Sequence, residues 1–123
     1  MESCFGSSLM AMFDTISYVK RVASLKSKRT VISIKDSAGT YDDLLWYMLQ
    51  DVLSATDAKG LFAYKVVRIR ITSQKGRHSA TANIYTKPVK ENMAKLGVKG
   101  VSRYNLRIRN TDKGIEARVV LDV

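Results

Sequence analysis

The chain has 123 residues, of which 46% are hydrophobic and 26% charged, a composition typical of one folded domain that excludes wholesale disorder. One cysteine, Cys4, excludes an internal disulfide, and no apolar run is long enough to span a membrane. The formal net charge of +10 is segregated, because residues 36–57 hold five aspartates and no lysine or arginine, whereas residues 58–123 hold fifteen basic and four acidic residues. Such segregation indicates a polyanionic partner and also allows head-to-tail contacts between copies of the chain.

Residues 1–29 are predicted to form an amphipathic, basic N-terminal arm. Leu9, Met12 and Phe13 begin an apolar stripe at helical spacing, and basic residues follow it. Two interpretations stay open: a terminal helix packed on its own domain, or an apolar face with basic flanks that lies on a membrane or a partner. The residues assigned to membrane or partner contact are Met12, Phe13, Ile16, Lys20, Arg21, Lys26, Lys28 and Arg29.

Residues 30–123 are predicted to form the core domain. The β-branched run 30–35 predicts a strand, and residues 36–39 predict a turn. Thr40 is the expected N-cap of a helix over residues 41–55, whose apolar stripe packs in the core. The same helix carries three aspartates that we assign to self-association with a basic face of a neighbouring copy: Asp42, Asp43 and Asp51.

The second half of the chain reads as two hairpins. Residues 61–73 predict a strand whose change of hydrophobic phase requires either a bulge or burial on both faces at different points. Residues 79–85 predict the returning strand. A short helix is expected over residues 89–96. A second hairpin then pairs residues 102–109, with Tyr104 facing inward, with residues 115–123. The predicted fold is a single α+β domain, with a mainly antiparallel sheet of about five strands and a helix packed on one face.

Catalytic chemistry is not indicated. His78 is the only histidine, so a zinc cluster of several Cys or His ligands cannot be built, and no nucleophile motif accompanies it. The sequence therefore predicts a protein that is not an enzyme and that binds no cofactor and no metal.

Arginines and lysines of the second half form the predicted anion-binding surface. Guanidinium groups held on a sheet suit phosphate recognition, and the alternative is an ordinary polar sheet face. The residues assigned to anion or nucleocapsid contact are Arg68, Arg70, Lys75, Arg77, Arg103, Arg107, Arg109 and Arg118.

The order of elements resembles the core of rhabdovirus matrix proteins. The resemblance runs from TVISIKDSAGTY through DDLLWYMLQDVLSA and FAYKVVRIRITSQKG to YNLRIRNTDKGIEARVVLDV. It implies a viral structural protein that self-associates and bridges the viral ribonucleoprotein, with or without direct RNA contact, to an anionic membrane. Its place would be beneath the virion envelope, or in the host cytoplasm or nucleus. The alternative hypothesis is a basic RNA-binding accessory protein, such as a silencing suppressor.

Overall fold

The fold contains three α-helices and seven β-strands, and the computed structural model describes residues 1–123. The α+β class is confirmed. The helices are α1 Glu2–Ile16, α2 Val19–Ser24 and α3 Tyr41–Lys59. The strands are β1 Thr30–Ala38, β2 Leu61–Gln74, β3 Arg77–Pro88, β4 Gly100–Val101, β5 Arg107–Thr111, β6 Gly114–Arg118 and β7 Leu121–Asp122.

The central sheet has three strands in the order β1–β3–β2. All its pairings are antiparallel, as predicted, and Ile32 lies opposite Ile84 at its centre. The remaining strands form two ribbons, β4–β7 and β5–β6. Alternating residues of the sheet, such as Ile32, Ile34 and Ile84, face one continuous core.

Helix α3 begins after the predicted N-cap Thr40 and ends at Gly60. The Thr40 hydroxyl accepts a hydrogen bond from the Asp43 backbone N–H at 3.1 Å, which confirms the predicted N-cap. The helix ends at Gly60, whose φ of 64° is the left-handed conformation that glycine adopts without strain. Leu45 and Met48 on its inner face are fully buried. The helix therefore covers one face of the sheet, as predicted.

Helix α1 is part of the same core. It starts at Glu2, earlier than the apolar stripe suggested, and Phe5, Leu9 and Phe13 are at most 1% exposed. The Glu2 carboxylate also accepts a hydrogen bond from the backbone N–H of Ile71 in β2 at 3.0 Å. Of the two interpretations of the arm, the structure shows the packed terminal helix.

Strand β2 contains two bulges, which confirms the predicted irregularity. The pairing with β3 shifts between Ala63 and Lys65 and again between Val66 and Arg68. Each shift inserts one residue that has no partner opposite it and so reverses which side chains face the core. As a result Lys65 and Arg68 share the outer face, although three positions separate them.

Four predicted elements differ from the structure. The turn expected over residues 36–39 is largely strand, since β1 runs to Ala38. The strand expected over residues 115–123 is divided into β6 and β7, and β7 pairs with β4 instead of β5.

The helix expected over residues 89–96 is only a 3-10 turn at Glu91–Met93, since the backbone N–H of Lys95 bonds instead to Ile16 O. The strand expected over residues 102–109 begins only at Arg107. The preceding loop is held against α3 by side-chain contacts, so the alternation of its residues does not correspond to a strand.

Candidate protein-binding surface

The loop Ser102–Leu106 carries an exposed aromatic side chain, and the residue before it is hydrogen-bonded to α3. The indole N–H of Trp46 donates to Val101 O at 2.8 Å, and the Gln50 side-chain carbonyl accepts from Val101 N at 3.1 Å. Both backbone polar groups of Val101 are thereby bonded to side chains one helical turn apart. These two bonds fix the backbone at the start of the loop relative to α3.

Arg103 adds a second attachment to α3. Its guanidinium lies 3.5 Å from the Asp43 carboxylate, 4.9 Å from the Trp46 ring centroid and 5.4 Å from that of Tyr47. Hydrogen bonding to Tyr47, with a further contribution from Asp43, raises the pKa of Arg103. The side chain is still 45% exposed, so the cation remains available to a partner.

Tyr104 projects from this loop into solvent. Its side chain is 88% exposed, more than any other large hydrophobic residue of the chain. A hydrogen bond spans the turn around it, since the Asn105 amide donates to the Ser102 hydroxyl at 3.1 Å. Leu106, at the end of the loop, is 1% exposed. The prediction that Tyr104 faces inward is wrong, because the chain forms a turn here rather than a strand.

A second surface is the outer face of the central sheet. Lys35, Lys65, Arg68 and Arg70 are exposed there, and the outward positions of all three strands hold no acidic residue. The guanidinium of Arg29 covers the Tyr85 ring at 3.9 Å from its centroid. This face is therefore a concentrated positive surface without an internal counter-charge.

Of the other predicted anion contacts, only Arg77, at the start of β3, joins that face. Arg107 lies opposite Arg118 in the β5–β6 ribbon, and Arg109 pairs with Glu116 at 3.6 Å. Lys75 is in the β2–β3 turn, and the Arg77 guanidinium donates to the Ser37 hydroxyl at 2.9 Å. The eight residues thus occupy three regions: the sheet, its hairpin turn, and the loop with its ribbon.

The predicted membrane or partner contacts divide by chemistry. Met12 and Phe13 are buried, and Ile16 is half-buried against the core, so these apolar side chains are occupied within the protein. The basic members are exposed, and they lie on α2 or on the segment between α2 and β1: Lys20, Arg21, Lys26, Lys28 and Arg29.

The predicted self-association residues have neighbours within the chain. Asp43 pairs with Arg103, and Asp42 is half-buried in the first turn of α3. Asp51 lies beside Asp36 of β1, which the sequence pattern had assigned to a turn. Burial, followed by hydrogen bonding and repulsion from Asp51, raises the pKa of Asp36 to about 7. The alternation of Ile32, Ile34, Asp36 and Ala38 was the signal that this carboxyl faces inward.

A polar cluster joins the β2–β3 turn to the start of α3. The Ser73 hydroxyl lies 2.6 Å from His78 Nδ1 and 3.1 Å from the Tyr41 hydroxyl, and the His78 ring stacks on Tyr41 at 3.9 Å. Sequence reasoning missed this serine–histidine contact, since a tight turn between the two residues is its only signal. Ser73 and Tyr41 hold the imidazole in place, so the cluster fixes the hairpin to α3.

Neither a metal centre nor a membrane span is found. No three His, Cys, Asp or Glu side chains are grouped as a metal site requires. No helix combines the length and the apolar character needed to cross a bilayer.

Comparison with known proteins first establishes the fold. The solution structure of protein 1598 of Methanobacterium thermoautotrophicum superposes with a TM-score of 0.80 at 22% identity, covering 99% of this chain and 84% of that one. No curated protein matches the chain significantly. The family follows from the sequence model of the Archease protein family (MTH1598/TM1083), which matches residues 1–123. The chain belongs to the Archease family.

Family membership overturns the matrix-protein hypothesis. The family is cellular, so the viral assignment, the location beneath a virion envelope, and the nucleocapsid and membrane partners are wrong. The alternative of an RNA-binding accessory protein is unsupported as well. The resemblance rested on the order and residue class of strand and helix segments, which unrelated α+β folds share.

Proposed function

We propose that the protein is a non-catalytic partner of an RNA ligase, the class of RNA-processing enzyme with which Archease proteins work. The observation that carries this proposal is the family match over residues 1–123. In this role the protein contacts the ligase and modulates its activity, and the chemistry of ligation stays with the enzyme.

The surface of the molecule supports a binding role. Interfaces are enriched in tyrosine, tryptophan and arginine, and these residue types meet at the loop that carries Arg103 and Tyr104. The serine–histidine contact of Ser73 and His78, in contrast, is explained by its packing on Tyr41.

A ligation assay tests the proposal. Purified RNA ligase from the same organism is assayed on RNA ends with and without equimolar protein, and we expect more ligated product with the protein present. The protein alone should ligate nothing. Unchanged ligation, together with no complex in size-exclusion chromatography, would refute the proposed function.

A variant pair separates binding from catalysis. Ser73→Ala and His78→Ala each remove one member of the only serine–histidine contact. We expect both variants to keep at least about half of the stimulation, since the contact of Ser73 with the half-buried His78 serves packing and its loss costs about 1 kcal/mol of stability. Complete loss of stimulation, with the fold and the complex intact, would show instead that the protein contributes a reacting group.

A further inference from the structure

We propose that Tyr104 is the anchor by which this protein docks on its partner, inserting into an apolar pocket of the RNA ligase whose rim carries carboxylates. The inference rests on the proposed function and names the surface and the chemistry of the contact. Its starting observation is that the most exposed large hydrophobic residue of the molecule, at 88%, lies in a loop whose entry is hydrogen-bonded to α3.

Preorganisation is the first argument. An exposed loop that orders only on binding loses conformational entropy, which weakens the complex. Here the entry of the loop is held by the hydrogen bonds of Val101 to Trp46 and Gln50. Its exit is held by the buried Leu106. The backbone that carries Tyr104 is therefore already in place before the partner arrives.

The chemistry of the anchor is the second argument. A tyrosine gains most of its binding energy from burying its ring, and its hydroxyl then requires a polar group within the pocket. Tyrosine and arginine are among the residues that most often dominate interface energetics. These requirements describe an apolar pocket with one hydrogen-bonding group at its base.

Charge complementarity specifies the rim of that pocket. Arg103 is 45% exposed beside the anchor, and Arg107, two residues beyond Asn105, is exposed at the start of β5. Arg107 faces Arg118 across the ribbon, and like charges directly opposite each other destabilise a strand pair. Partner carboxylates relieve this repulsion, so an acidic rim suits the surface better than a neutral one.

Binding of the purified RNA ligase to the immobilised full chain, measured by biolayer interferometry, tests the inference. We expect Tyr104→Ala to weaken the affinity about 30-fold or more, the range found for anchor residues. Tyr104→Phe, which retains the ring, should weaken it less. The matched control is Leu96→Ala, a truncation at another exposed apolar side chain that is 52% exposed, and it should leave the affinity unchanged.

The outcomes distinguish the two proposals. Wild-type protein that fails to bind the ligase refutes the proposed function. Wild-type binding that Tyr104→Ala leaves within about twofold refutes the anchor alone. A third result, in which Tyr104→Ala weakens binding of free RNA and leaves ligase binding intact, also overturns the inference, because the ring would then stack on bases. Equal melting temperatures of wild type and variant confirm that any loss of affinity is not a loss of fold.

Discussion

At the scale of single residues, the Asp36–Asp51 pair makes the stability of the protein depend on pH. The pKa of Asp36 is raised to about 7 in the folded protein, whereas an aspartate in an unfolded chain titrates near about 4. Folded protein therefore binds more protons than unfolded protein between these values. The stabilisation is full below pH of about 4 and is lost as the pH rises to about 7.

Asp36→Asn removes this dependence. We expect it to raise the free energy of unfolding at pH 8 by about 1 kcal/mol, less than the full linkage value because the carboxyl is only partly buried. The variant should also flatten the stability between pH 5 and 8, as measured by urea unfolding at a series of pH values. Asp51→Asn is the comparison variant, and it should flatten the stability less, since burial, the largest cause of the raised pKa of Asp36, remains. A wild-type protein whose stability is flat over this range would contradict the assignment.

At the scale of elements, α1 is a structural helix and not a detachable arm. Leu9 is completely buried in the core. We expect Leu9→Ala to lower the free energy of unfolding by about 2–5 kcal/mol, the cost of removing a buried leucine side chain and leaving a cavity. Thermal or urea unfolding measures the change, and Lys20→Ala, at an exposed position of α2, should have almost no effect. Equal stability of the two variants would show that α1 is dispensable to the fold.

Local signals predicted the elements that local interactions determine. The capping threonine, the apolar stripe and the closing glycine located α3, and the phase change in β2 indicated that this strand is irregular. The loop Ser102–Leu106 could not be predicted, because the residues that hold it, Trp46 and Gln50, lie about fifty positions earlier in the chain. The candidate site was therefore identified only in part: Arg103 was assigned to contact, but Tyr104 was placed in the core. The same non-local packing explains why the arm's apolar residues turned out to be buried.

At the scale of the whole molecule, the basic face of the central sheet and the proposed anchor Tyr104 lie on different elements. We expect the first to affect the association rate and the second the dissociation rate. The net charge of +10 attracts an acidic partner over a distance of about 10 Å, while a buried aromatic anchor acts only after contact. Long-range charge mainly sets the association rate, whereas short-range packing sets the dissociation rate. The uncompensated outer face of the central sheet is the natural source of the steering field.

The triple variant Lys65→Gln, Arg68→Gln, Arg70→Gln tests this division, because the bulge between Val66 and Arg68 brings Lys65 to the same face as the two arginines. We expect it to slow association with the RNA ligase about tenfold at low salt and to leave the dissociation rate unchanged. Tyr104→Ala should do the reverse and speed dissociation. Raising the salt concentration should abolish the first difference and leave the second, since screening weakens only the long-range term. If the triple variant instead speeds dissociation, the outer face itself touches the partner, and the docking surface must extend from the loop onto the sheet.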